Sequence, residues 1–119
     1  MQRDQLFIAE MIDAAERIIE LTVTASVADL VIDQTRRESL LWSFTVLGEA
    51  SSQLSDHTKN LHPSVSWRAP TAMRNRIIHS YWQTSPRILL ATAQDDIPQL
   101  LADLRRVETA LRIGPRNAD

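Results

Sequence analysis

Apolar residues return at intervals of three and four along most of the chain, and the polar residues between them fall on the opposite faces. Ile8, Met11, Ile12, Ala15, Ile18 and Ile19 share one side of a first helix, and Glu10, Asp13, Arg17 and Glu20 share another. Asp4 can cap this helix, which the pattern carries to about Thr24. Ser26 with Asp29 reads as a capping box for a short turn, and Asp33 as the cap of a long second helix to Leu54, with Leu40, Phe44, Leu47 and Leu54 on its buried side. Gly48 sits mid-helix, where glycine costs about 1 kcal/mol relative to alanine, so a compensating close approach of another helix is expected. Glu49 beside it reads either as a surface carboxylate or as the partner of an arginine on the facing helix.

Ser55 to Ser66 is polar and broken by Pro63, a loop with at most one short helical turn. A third helix starts near Trp67 to Pro70, since proline is tolerated in a first turn, and reaches about Tyr81. Ser85 caps a last helix with Pro86 at its first position, and Leu89, Ala93, Ile97, Leu100, Leu104, Val107 and Leu111 recur along it. Pro98 predicts a bend there and Gly114-Pro115 its end. The fold class expected is all-α, an antiparallel bundle of four main helices plus short helical turns. One domain over 1–113 and a flexible tail over 114–119 complete the reading.

Two glycines in 119 residues argue against a sheet protein built on tight hairpins. The absence of cysteine removes disulfides and thiolate metal sites and suits a reducing compartment. Met1 to Asp4 has no basic leader and no run of about 18 apolar residues occurs, so a soluble, cytoplasmic protein with no membrane partner is expected.

The net charge of -2 hides an uneven distribution. Between Asp56 and Asp95 there is no Asp or Glu, while Lys59, Arg68, Arg74, Arg76 and Arg87 stand there with His57, His62 and His79. This is either a solvated basic surface facing acidic helices or an anion site, most simply for phosphate. The three histidines lack helical ligand spacing and do not make a metal site.

Met73 to Trp82 concentrates the candidate chemistry. On a wheel of about 100° per residue Arg74 lies mid-stripe among Met73, Ile77, Ile78 and Tyr81, where a cation needs a carboxylate or a bound anion. His79 lies about 140° away, so one straight helix does not aim both groups at one point. They could converge through the reach of the arginine, fraying near Tyr81, or a second subunit. Metal-free RNA cleavage needs a base for the 2'-hydroxyl proton, an acid for the departing 5'-oxygen and a fixed cation beside phosphorus. Histidine and arginine are suitable types, and a two-fold dimer would supply a second histidine. A lone histidine near a helix end is more often a capping or surface residue, and a tyrosine on an apolar stripe more often core.

Arg74-Asn75-Arg76-Ile77-Ile78-His79-Ser80-Tyr81 matches R-N-x-x-x-H-x-Y and resembles the signature of HEPN-domain proteins of the HepT-like toxin group. Leu47-Gly48-Glu49-Ala50, Trp67-Arg68, Met73 and Asp96-Ile97-Pro98 resemble further elements of that group in the same order. The resemblance implies a homodimeric, metal-independent endoribonuclease toxin acting on RNA, with no cofactor for cleavage. It implies Arg74 and His79 as the catalytic pair, Asn75, Arg76 and Glu49 in support, and Tyr81 as the hydroxyl that a cognate nucleotidyltransferase antitoxin AMPylates, using ATP and Mg. Ala69-Pro70 and the lack of glycine at Gln83 depart from the pattern and put substrate choice in question. A non-catalytic nucleotide-binding or docking subunit of a minimal nucleotidyltransferase is the alternative, and a dimerisation module with a structural ion pair at Arg74 a third. The dimer surface is left open, with the helices that bear Met73, Ile77 and the Trp67 end as candidates.

Overall fold

The computed structural model describes residues 2–113, with the side chains of Gln2 and Trp82 also outside the described part. The helices are α1 (Gln2–Thr22), α2 (Val27–Ile32), α3 (Gln34–Gln53), α4 (Asp56–Leu61), α5 (Arg68–His79), a 3-10 turn (Tyr81–Gln83), α6 (Pro86–Asp95) and α7 (Ile97–Ile113). Among the described residues there is no strand, and the chain is all-α as its periodicity predicts. The expected tail at 114–119 lies outside the described residues.

Helices α1 and α3 pack together at the centre, with α7 against another side of α1 and α5 against another side of α3. The α1 stripe forms as predicted: Ile8, Met11, Ile12, Ala15 and Ile18 are buried, and Glu10, Asp13, Arg17 and Glu20 lie outside the core. The helix stops at Thr22, two residues early, in a run of β-branched Thr22, Val23 and Thr24, and the Gln94 side chain of α6 donates to the Thr22 carbonyl at 2.9 Å. Because α3 is packed between two helices, small residues are buried on it as well as Leu40, Phe44, Leu47 and Leu54. Ser26 and Asp29 form the capping box, and Asp33 accepts from the Arg36 amide at the start of α3.

Four expectations need correction. Asp4 is not a cap for α1 but lies fully buried inside it, accepting from the Ser55 amide at 3.2 Å and from the Ser55 and Thr58 hydroxyls at 2.5 Å each. That carboxylate anchors α4, which is therefore longer than a single turn. Helix α5 ends at His79 rather than Tyr81: Ser80 leaves helical geometry at φ −142, and its carbonyl is taken by the Gln83 amide at 2.9 Å and the Thr84 hydroxyl at 2.8 Å. The last helix is two helices, α6 and α7, separated at Asp96. Pro98 then falls in the first turn of α7, where its missing donor costs nothing.

Candidate active site

The start of α5 is pinned to α3. Ser51 Oγ donates to the Trp67 carbonyl at 2.9 Å, and Pro70 is buried in the first helical turn, so Ala69-Pro70 does not break the helix. One turn later Arg74 crosses α3 at Gly48. A Cβ on Gly48 would overlap the Cβ of Arg74 and lie 2.5 Å from the Pro70 carbonyl oxygen. The close approach expected to offset the cost of a mid-helix glycine is thus the crossing of α5 itself.

This crossing carries the Arg74 guanidinium to Glu49. Nη1 donates to Glu49 Oε1, and Nε donates to Asn75 Oδ1 at 3.0 Å, while Nη2 makes no hydrogen bond among the described residues. The Arg74 side chain is 17% exposed and that of Glu49 56%, so the pair lies at the rim of the fold. Of the two readings of Glu49, partner of an arginine is the one the fold adopts. A pair with one member this exposed contributes about 0–1 kcal/mol to stability. Its larger effect is to hold the guanidinium in one place with donors still open.

The remaining motif residues diverge around α5. His79 is exposed at the last helical position, about 140° around from Arg74 on an ideal helix, and no hydrogen bond joins the two. Asn75 lines a groove with Lys59 and Arg68, whereas Arg76 faces a different groove beside Asp95 and Asp96. Tyr81 has left the α-helix for the 3-10 turn and is 37% exposed. The side chain of Trp82 lies outside the described part. The cations of the carboxylate-free interval therefore do not form one basic face.

The apolar residues around the motif are unevenly covered. Ile77 and Trp67 are core residues, at 2% and 8% exposure, and Met73 packs against that core. Sequence reasoning missed Trp42 on α3, which is 67% exposed, and placed Ile78 on the buried stripe although it is 58% exposed. Trp42 lies seven residues before Glu49 and Ile78 four after Arg74, so each shares a helix face with one member of the ion pair. The signal for Trp42 was its position off the α3 stripe of Leu40, Phe44 and Leu47.

Among the described residues no three His, Asp or Glu side chains gather as a metal site, and no helix is long and apolar enough to cross a membrane.

Residues 11–107 match the family model described as Ribonuclease HepT-like. The chain is 31% identical over 94 residues to a probable ribonuclease HepT of Thermococcus cleftensis, covering 79% of this chain and 86% of that one. It is 25% identical over 107 residues, 90% of this chain and 96% of the relative, to a candidate RNase of Caldanaerobacter subterraneus. A candidate RNase of Methanocaldococcus jannaschii is 22% identical over 101 residues, 85% and 93% of the two chains. No solved structure matches significantly. With a rim arginine held by Glu49 and Asn75, a histidine at the end of the same helix and a family match spanning most of the fold, the chain belongs to the HepT-like ribonuclease family.

Proposed function

We propose that the chain is a metal-independent endoribonuclease toxin that works as a homodimer. The observation that carries this reading is the Arg74 guanidinium, half sunk in the fold, fixed through Nε and Nη1 and with Nη2 open. A phosphate could add to that free donor edge or compete with Glu49 for the fork, because a charged oxygen is the acceptor that both groups offer. In RNA cleavage the 2'-oxygen loses its proton and attacks phosphorus, the 5'-oxygen departs and gains a proton, and a cyclic phosphate remains. Arg74 is suited to the charge that builds on the phosphoryl oxygens, and His79 to one proton transfer.

One chain offers one motif histidine, turned well away from Arg74. A second copy would supply the other proton-transfer group and close the angle between them, and the exposed Trp42 and Ile78 flank the ion pair where such a copy would bury them. Control by a nucleotidyltransferase antitoxin fits the position of Tyr81 two residues past His79 and at the surface. An AMP on its hydroxyl would place charge and bulk close to His79.

The Arg74–Glu49 pair also favours a second reading, in which the arginine is structural and the chain is a docking or nucleotide-binding subunit. Cleavage of RNA in the presence of a chelator separates them. Wild type should produce cyclic-phosphate ends, and His79→Ala, altered at an exposed position, should keep its fold and lose cleavage by about 100-fold or more. Full activity in that variant would remove His79 from the mechanism.

A further inference from the structure

Among the described residues, three surface grooves can be compared by their charges. One of 730 Å³ between α5 and the α6–α7 pair carries Asp95, Asp96 and Asp103 against Arg76. Another of 610 Å³ between α1 and α3 carries Glu10, Asp13 and Glu49 against Arg17. Asp103 is paired with Arg106 and Glu49 with Arg74, yet each groove still sets two carboxylates against one guanidinium. A polyanion is repelled from both.

The third groove, of 1010 Å³, runs between α4, the loop after it and the start of α5, with Lys59 and Arg68 against Asp56. Neither cation has an ion-pair partner among the described residues, so neither must break a protein contact to take a phosphate. Amides and hydroxyls of Asn60, Asn75, Ser66 and Thr71 line the same walls. Those walls are held in place from behind. Buried Trp67 donates from its indole to the His62 carbonyl at 3.0 Å, and Asp4 ties Ser55 and Thr58 at the start of α4. At its α5 end the groove meets Asn75, whose Oδ1 accepts from Arg74 Nε.

We infer that the α4–α5 groove carries the RNA strand on one side of the scissile phosphate, with Lys59 and Arg68 pairing to backbone phosphates and Asn75 as the last contact before Arg74. This rests on the ribonuclease reading for the identity of the strand. Contacts of this kind hold the backbone and carry no base code, so they raise affinity for any sequence and depend on salt.

The test is fluorescence anisotropy with a short, labelled, mixed-sequence 2'-O-methyl RNA, which binds but has no free 2'-hydroxyl to react. Lys59→Gln/Arg68→Gln should weaken binding about tenfold at moderate salt and flatten the slope of log affinity against log salt by about 1.4, at about 0.7 per phosphate contact. Arg17→Gln/Arg112→Gln removes the same charge elsewhere and should leave the slope nearly unchanged. Equal effects from the two pairs, or unchanged binding in the groove pair, would overturn the assignment. Cleavage by wild type with an unchanged KM in the groove pair would remove the groove alone. Binding as expected by a wild type that cuts no RNA would support the groove while removing the ribonuclease reading.

Discussion

Gly48 and Arg74 meet without space for a methyl group between them. The overlap that a Cβ would create involves the root of the Arg74 side chain and the Pro70 carbonyl oxygen, so a flexible side-chain tip cannot relieve it by turning away. Gly48→Ala would gain about 1 kcal/mol of helix propensity and lose more to overpacking, commonly about 1–3 kcal/mol. The expected net is a destabilisation of up to about 2 kcal/mol in denaturant melts. Because α5 must move away from α3, RNA cleavage should fall by about tenfold or more at temperatures where the variant is fully folded. Unchanged stability and activity would mean that the crossing distance is not set by Gly48.

Asp4 makes a prediction about stability that is independent of function. Burial alone would raise its carboxyl, but the hydroxyls of Ser55 and Thr58, the Ser55 amide and the Arg3 charge outweigh it and hold the group below its ordinary value of 3.8. The unfolded chain therefore takes up this proton first as pH falls. The contribution of Asp4 is complete above about pH 5 and is lost as acid carries the pH down through the depressed value. Asp4→Asn should cost about 1–3 kcal/mol near neutral pH, and the gap from wild type should narrow below about pH 4. Urea melts across that range check it, and a gap that widens in acid would contradict the assignment.

Tyr81→Phe removes the hydroxyl and keeps the ring. The variant should cut RNA about as well as wild type and resist silencing by the partner nucleotidyltransferase with ATP and Mg. Mass spectrometry of the treated wild type should find one added AMP on Tyr81. Silencing of the Phe variant to the wild-type extent would show that the partner inhibits by binding.

Local patterns were legible where they dictate local structure. The Ser26–Asp29 box, the Asp33 and Ser85 caps and the α1 stripe all follow from spacing within a turn or two. Gly48 and Glu49 were legible for another reason: a glycine at a cost and a cation on an apolar stripe each called for a partner, and each found the other's helix. Asp4 was not, because the donors to its carboxylate lie 51 and 54 positions away and nothing local distinguishes such a carboxylate from an ordinary first-turn cap. The wheel placed Tyr81 and Ile78 wrongly for a similar reason. It assumes that the helix continues past His79 and that the stripe is uniformly covered, while Ser80 ends the helix and Ile78 stays open to solvent.

In the proposed homodimer two copies pool their His79 side chains in one site. Wild-type and His79→Ala subunits can be mixed at fixed total concentration, allowed to exchange, and assayed for RNA cleavage in a chelator. If both histidines are needed, only all-wild-type dimers work, and activity follows the square of the wild-type fraction, leaving about a quarter at equal mixing. Activity in direct proportion to the wild-type fraction, with about half left at equal mixing, would show that each chain cuts RNA with its own histidine and would contradict the account.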